Sequence, residues 1–339
     1  MDFSVVIAVK NEKKYIKDCV KSVFNQNYKG DYEVIVVDGM SDDGTYEVLK
    51  EMQNDFDLKV YRNKRENAAA GRNIGINKAE GEFVAFIDGD AIASKNWLTQ
   101  IKKTFEKYED KNLVGVGGTD RLPEDSSKKA RMIGWVMTSP LARGGRFNPS
   151  TQHTLEGEEH YAEHIPTCNL CLKKKVFDQV GLFDENFVKG QDLELNYRIT
   201  NAGFKLIYSP KVEVVHYRKN HIRVFARQIF KWAKAKVAIT KKHGFQGLTS
   251  HVYFWPVYLL VSFILVFSVF LYFELTKIFL MFFFLCCLLY VSGIFLEGVR
   301  LAKKNNKPGL ILYGFTLLPL VHISYSLGVF SALLRKKIW

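Results

Sequence analysis

Apolar residues fall in short blocks through the first 90 positions of the chain and in long blocks after about Val252. The short blocks are Ser4-Val5-Val6-Ile7-Ala8-Val9, Tyr32-Glu33-Val34-Ile35-Val36-Val37-Asp38, residues 58–61 and Phe83-Val84-Ala85-Phe86-Ile87. Runs of this length without polar alternation predict strands buried on both faces. Between them the apolar positions recur at helical spacing. Ile16, Val20, Val23 and Phe24 mark a helix within residues 12–27, and two more are predicted over 46–53 and 68–79. Gly71 and Gly75 inside the third helix predict close approach of a neighbouring backbone or a ligand. Strands alternating with helices of this length predict an α/β domain, a mainly parallel sheet flanked by helices.

Two of the strands end in acids. Asp38 closes the second, and Asp88-Gly89-Asp90 closes the fourth. In open α/β sheets ligands bind just beyond the carboxyl ends of the strands. Two aspartates one residue apart there can offer oxygen ligands to a hard divalent cation, Mg²⁺ or Mn²⁺, and such a cation can bridge a diphosphate. The first loop, Val9-Lys10-Asn11-Glu12, lacks the Gly-x-Gly-x-x-Gly pattern of dinucleotide folds, and no Gly-x-x-x-x-Gly-Lys-Ser/Thr loop occurs. Nucleotide binding is therefore expected to run through carboxylates and a metal rather than a glycine-rich anion hole.

An ordered set of motifs surrounds these acids: Asp38-Gly39-x-Ser41-x-Asp43-Gly44-Thr45, Ala70-x-Arg72-Asn73-x-Gly75, Ala79-x-Gly81-Glu82, Asp88-Gly89-Asp90, Gly181-Leu182-Phe183-Asp184-Glu185 and Asp192-x-Glu194-x-x-x-Arg198. Over roughly residues 3–243 the chain resembles family 2 glycosyltransferases of the GT-A fold, especially the membrane-attached branch that builds bacterial exopolysaccharides and archaeal surface glycans. The resemblance implies a GT-A-type, Rossmann-like sheet and a nucleotide-sugar donor. It implies that Asp38 meets the nucleotide base and Asp88 the ribose or the metal. Asp90 would hold the metal, with His216 as a further ligand. Ala8, Lys10, Glu12 and Arg72 would border the nucleotide pocket. Asp192 would be the general base of an inverting transfer, preceded by Gln191 where the family usually carries an acid. Gln191 and Glu194 would lie on the acceptor or diphosphate side, Glu194 being also placed to pair with Arg198 at i,i+4. Residues 131–150, rich in Gly, Arg and Ser, are expected as a mobile loop near the phosphates. Residues 156–164 hold four Glu and two His, in a spacing that matches no standard metal site.

The second half of the chain changes character. The net charge is +13, and residues 211–242 carry ten Lys/Arg against one acid, Glu213. Apolar runs follow almost at once, so an anionic membrane is the expected partner; no zinc-finger spacing or RNA-recognition signature points to nucleic acid. Residues 222–240 form an amphipathic pattern with Ile222, Phe225, Ile229, Trp232, Ala233 and Val237 on one face and Arg223, Arg227, Lys231 and Lys234 on the other. This predicts a helix in the membrane interface. Gln228, Lys231 and Trp232, which follow Arg227, come near the Gln-x-x-Arg-Trp element of processive polysaccharide synthases, with Lys, a poorer planar clamp, in place of Arg. All four are taken as further acceptor-side residues.

Runs over 253–273, 278–296 and 310–334 are each long enough to span a bilayer. No secretory signal opens the chain, so the first domain is expected in the cytoplasm. Arg300, Lys303, Lys304 and Lys307 then fall inside, as the positive-inside rule requires. Arg335-Lys336-Lys337 fall outside unless the last run bends back at Pro319. The five cysteines make no disulfide framework and are read as structural or incidental, Cys168-x-x-Cys171 included, since that pair has no second pair. The expected organisation is a catalytic domain over 1–218, an interfacial helix and linker over 219–250, and about three membrane helices over 251–339. The expected function is transfer of a sugar to a polyprenyl-linked lipid acceptor, a diphosphate-linked oligosaccharide first. A polyprenyl-phosphate hexose synthase, a processive synthase and a non-catalytic membrane scaffold are the other readings.

Overall fold

A computed structural model describes residues 1–108, 110–143, 158–217, 221–245 and 251–335. The chain forms two compact units: residues 1–126 with 158–217, and residues 127–143 with 221–335, counting described residues.

The first unit begins as the apolar blocks dictate: β1 (Phe3–Val9), α1 (Ile16–Phe24), β2 (Tyr32–Asp38), α2 (Thr45–Met52), β3 (Leu58–Arg62), α3 (Ala68–Lys78) and β4 (Phe83–Ile87). These four strands are parallel in the order β3-β2-β1-β4. There follow β5 (Ala91–Ala93), α4 (Trp97–Lys107) and β6 (Leu113–Arg121). Next in the chain, α5 (Lys128–Met137) and a 3-10 turn at Leu141–Arg143 belong to the second unit. The first unit then resumes with β7 (His160–Ala162), β8 (Asn169–Lys173), α6 (Val176–Val180), α7 (Gln191–Asn201) and β9 (Lys205–His216).

The sheet continues from β4 through β8, β6 and β9 to β5, and β7 also pairs with β9. β8 is antiparallel to both β4 and β6, while β9 is parallel to β6. It follows that β1, β2, β4, β6 and β9 all end at the same edge of the sheet, where β8 begins. Side chains alternate between two buried layers. Val5, Ile7, Val34, Val36, Ala85 and Ile87 pack with Ile16, Val20, Leu49, Trp97 and Ile101 from α1, α2 and α4. Val6, Ile35, Val37, Val84 and Phe86 pack on the other face with Ala69, Ile76, Leu195 and Ile199 from α3 and α7. Helices on both faces are the reason the strands read as continuous apolar runs.

The α3 glycines do allow close packing, but against side chains of β1 rather than against a neighbouring backbone. A methyl on Gly75 would overlap Val6, and one on Gly71 would lie 3.2 Å from the Ala8 β-carbon.

The second unit holds α8 (Ile222–His243), α9 (Trp255–Tyr272), α10 (Thr276–Lys304) and α11 (Leu310–Leu333). Three helical stretches, His251–Tyr272, Thr276–Lys304 and Leu310–Leu333, are long and apolar enough to cross a membrane. α11 runs unbroken through Pro319, so the chain does not turn back there. On α8 the apolar positions Phe225 and Ile229 pack with Val321 of α11. Lys234, expected on the solvated face, is instead buried.

The loop expected over 131–150 is also corrected in its first part. Met132 and Val136 of α5 pack with Ile294, Leu301 and Leu317, and His322 bridges the Tyr290 hydroxyl at 2.9 Å and the Leu141 carbonyl at 3.0 Å. Residues 144–150 lie outside the described residues.

Gly75→Ala should destabilise the protein by about 1–3 kcal/mol through overpacking. Combined with Val6→Ala, the loss should be smaller than the sum of the two single losses. Thermal unfolding of the four variants measures this; strict additivity would show that α3 does not rest on β1 at that point.

Candidate functional site

The shared strand edge collects charge. Asp38 ends β2, Asp88 and Asp90 follow β4, Asp120 lies at the end of β6 and His216 ends β9. The pairing of β5 with β9 is what joins the last of these to the others. Ala91 stands opposite His216 in that ladder, and the Tyr217 amide donates to the Asp90 carbonyl at 2.9 Å. His216 Nε2 thereby comes to 3.1 Å from Asp90 Oδ1. Ligand atoms of Asp88, Asp90 and His216 all lie within 4.8 Å of one another. Those of Asp120, Cys168 and His216 do so as well.

Two carboxylates and an imidazole fit a divalent cation such as Mn²⁺ or Mg²⁺, with oxygen donors dominating. The electrostatics agree. Burial lowers the proton affinity of His216, but the Asp120 and Asp90 carboxylates outweigh it and hold the imidazole well above the usual histidine range. The cluster is built to hold positive charge.

Arg72, buried at 8% exposure, is the hub beside it. Its Nη2 donates to Asp88 Oδ1 at 3.1 Å and its Nη1 to Gln191 Oε1 at 3.1 Å. Gln191 in turn donates through Nε2 to the Phe187 carbonyl at 2.7 Å. A continuous line of hydrogen bonds thus runs from Asp88 to the first turn of α7, where Asp192 is the next residue. Asp192 is half-buried, and its Oδ1 accepts from the Leu193 amide at 2.9 Å.

Glu194 is not brought to this cluster. It is fully buried and paired with Arg198 at 2.8 Å. Arg198 also donates to the carbonyls of Val180, Gly181 and Leu182. Of the two roles open to Glu194 in the sequence, the geometry displays the structural pairing with Arg198.

Asp38 is fully buried. Its Oδ2 accepts from the Ser41 amide at 3.2 Å and lies 3.4 Å from Arg62 Nε, while its Oδ1 has no hydrogen-bond partner. Lys10 is exposed and paired with Glu66. The Glu12 amide donates to Thr45 Oγ1 at 2.9 Å, and Ala8 stands in β1 opposite Val37. Arg227, Gln228, Lys231 and Trp232 are all exposed on α8, in the second unit. In the 156–164 stretch, 156 and 157 lie outside the described residues. Glu159 is engaged by Lys107 and Ser209, and His164 by Asn196. Among the described residues no metal-ligand group forms there.

Asp120 and Cys168 were not singled out for this site from the sequence. The available signal was a Gly117-Gly118 pair leading into an acid, the mark of a strand interrupted near its end.

The profile of Glycosyl transferase family 2 matches residues 4–180 of the chain. At 27% identity over 98% of this chain and 97% of the relative, the chain is similar to a Methanococcus voltae protein, the dolichyl N-acetyl-alpha-D-glucosaminyl phosphate 3-beta-D-2,3-diacetamido-2,3-dideoxy-beta-D-glucuronosyltransferase. It is also 27% identical to glycosyltransferase AglE of Haloferax volcanii over 70% of this chain and 76% of that one. Among solved structures, the mannosyltransferase PcManGT from Pyrobaculum calidifontis, in complex with GDP-Man and Mn²⁺, superposes with a TM-score of 0.60. That match has 17% identity and covers 98% of this chain and 87% of the other. At this identity the likeness establishes the fold, a GT-A-like mainly parallel α/β sheet followed by long apolar helices.

Arg198→Met should cost about 3–5 kcal/mol, because it leaves the Glu194 carboxylate buried without its guanidinium. Chemical denaturation measures the loss. A cost below about 1 kcal/mol would show that Glu194 does not depend on this pair.

Proposed function

The chain belongs to glycosyl transferase family 2, and on that premise we propose that it moves a sugar, with inversion, from a nucleotide sugar to a saccharide carried on a polyprenyl lipid. The observation that carries this reading is the convergence of Asp38, Asp88, Asp90 and His216 on one sheet edge, with Arg72 and Gln191 linking it to Asp192. The full-length similarity to a Methanococcus voltae enzyme named for a dolichyl-linked sugar phosphate supports the lipid-linked acceptor. Three helices with the length and composition of membrane spans support it too.

Each residue has a task that its surroundings suit. Asp38 offers a buried, unpaired carboxylate oxygen to an N–H donor of the nucleotide base. Lys10, Glu12 and Ala8 line the same donor side. Asp88, Asp90 and His216 would hold Mg²⁺ or Mn²⁺. When bound, the cation stabilises negative charge on the leaving diphosphate. Arg72 fixes the Asp88 carboxylate by a charge-assisted bond and keeps its orientation. Asp192 takes the proton from the acceptor hydroxyl, a contribution of about 10²–10⁴-fold. Attack from the face opposite the leaving group needs one such base and gives the inverted product. The exposed row Arg227, Gln228, Lys231 and Trp232 on α8 suits an anionic lipid phosphate or the membrane surface. The catalytic unit lies on the cytoplasmic face, the side on which Arg300, Lys303 and Lys304 at the end of the second span and Lys307 after it satisfy the positive-inside rule.

Incubating the protein with labelled nucleotide sugars, Mn²⁺ and a lipid extract of the source membranes tests the reading. Label should enter lipid. Asp90→Ala and removal of the cation with EDTA should abolish transfer, and Asp192→Asn should lower it by about 10²–10⁴-fold. Full activity of Asp192→Asn alongside a dead Asp90→Ala would replace the acceptor hydroxyl with a lipid phosphate, which is already ionised at neutral pH. No transfer from any donor would sink the proposal.

A further inference from the structure

Only one nitrogen of His216 faces the Asp88–Asp90 pair. Nδ1, on the far side of the ring, is buried without a hydrogen-bond partner and lies 3.7 Å from Asp120 Oδ2. Asp120 itself is 3% exposed. A carboxylate taken that far out of water is costly unless a donor or a positive charge meets it.

The backbone around Asp120 is arranged to aim it. β6 and β9 run in register from Gly115 opposite Leu206 to Gly118 opposite Ser209, and then the register jumps, Thr119 pairing with Glu213 and Asp120 with Val214. The extra β9 residues make a bulge, a device that redirects side chains at sheet edges. Gly118 is required there, because a β-carbon would overlap the carbonyls of Ser209 and Val212. Asn169 locks the irregularity. Its Nδ2 donates to the carbonyls of Thr119 and Val212 at 2.9 and 2.8 Å, and its Oδ1 accepts from the Trp97 indole at 2.8 Å. Past the bulge, Asp120 and His216 lie on neighbouring strands.

We infer that Asp120 is a positioning residue for the cation site: its carboxylate accepts from His216 Nδ1–H and so fixes the tautomer whose Nε2 lone pair is turned toward Asp88 and Asp90. This rests on the cation role proposed above. A metal-binding histidine works best when its other nitrogen is held by a carboxylate or carbonyl, and losing that partner lowers metal affinity about 10–100-fold.

The second cluster, Asp120 with Cys168 and His216, is then the support of the first rather than another cation site. Nδ1 carries a proton in this tautomer and cannot ligate on the Asp120 side. Burial together with the Asp120 charge pushes the Cys168 thiol up to about 12, so without an ion beside it the thiol keeps its proton. The protonated thiol instead lies 3.6 Å from Asp120 Oδ2 and donates to it. Asp120 thus gathers two donors, the thiol and the imidazole.

The test is Mn²⁺ binding to the full-length protein in detergent, without donor, read from the electron paramagnetic resonance of free Mn²⁺. Asp120→Ala should weaken binding about 10–100-fold. Asp120→Asn, which keeps an oxygen acceptor for Nδ1–H, should recover most of it, with unfolding midpoints in metal-free buffer recorded for all three proteins. Equal affinity of Asp120→Ala and wild type overturns the inference and leaves the cation site standing. An Asn variant as weak as the Ala variant also overturns it, since orientation would then not be what Asp120 supplies. No Mn²⁺ binding by the wild type would instead remove the cation reading itself. A second readout needs no variant. With ¹⁵N-labelled histidine and diamagnetic Mg²⁺, His216 should show the Nδ1–H tautomer, and the Nε2–H tautomer would overturn the proposal.

Discussion

Carboxylates crowded at one sheet edge must be neutralised, and much of this domain's irregular structure serves that need. Asp38, Asp88, Asp90 and Asp120 reach the same edge because β2, β4 and β6 run in the same direction. Each has a cationic neighbour. Arg62 lies beside Asp38, Arg72 beside Asp88, and His216 between Asp90 and Asp120. Each cationic partner arrives from a different element: the end of β3, the buried face of α3 and the end of β9. The sheet order therefore cannot be changed without stranding a charge, and a stranded buried charge costs far more than a surface one.

The parallel half of the sheet was legible because burial on both faces leaves no choice of residue. In β1, β2 and β4 odd and even positions alike face a packed helix layer, so the sequence shows unbroken apolar blocks. β6 and β8 were not legible in that way. β6 reads Leu-Val-Gly-Val-Gly-Gly-Thr-Asp-Arg, where glycine is demanded by close contacts of a sheet interior rather than by a turn. β8 opens on Asn169, whose side chain is spent on holding neighbouring strands. Local propensity carries no trace of such long-range demands. Asp88, Asp90 and His216 were found as candidates, but their meeting depends on the β5–β9 ladder between residues over 120 positions apart. Asp120 escaped notice because its neighbour across the bulge is not deducible from spacing.

In the second unit composition misled once. The Gly, Arg and Ser of residues 131–150 suggested a loop, yet Met132 and Val136 sit one helical turn apart and fill a groove beside α10 and α11. Apolar burial at i and i+4 outweighed loop-like neighbours. Glycine, in contrast, was placed for contact. Gly298 and Gly314 bring α10 and α11 together, with a β-carbon on Gly314 only 3.2 Å from the Gly298 Cα. Gly328 does the same for α11 against Phe230 and Ala233 of α8. Where lipid supplies no hydrophobic drive between helices, close backbone packing on small residues adds attraction beside interhelical hydrogen bonds such as Tyr290–His322. The apolar face of α8 follows this logic, with Phe225, Ile229 and Ala233 buried while Trp232 and Ile222 remain exposed.

The glutamine before Asp192 can be understood in the same terms of charge. The family resemblance leads one to expect an acid at that position. Gln191 is 6% exposed and its carbonyl oxygen meets Arg72, whose charge is already shared with Asp88. A carboxylate there would place two anions on one guanidinium in a largely dry environment, at the margin of a cluster that already holds Asp90 and Asp120. The neutral amide accepts the same hydrogen bond and returns a donor to the Phe187 carbonyl, which a carboxylate cannot do. Arg72 is thereby held from two sides without adding to the negative charge. The first turn of α7, and Asp192 with it, stays tied through Arg72 to Asp88 at the sheet edge.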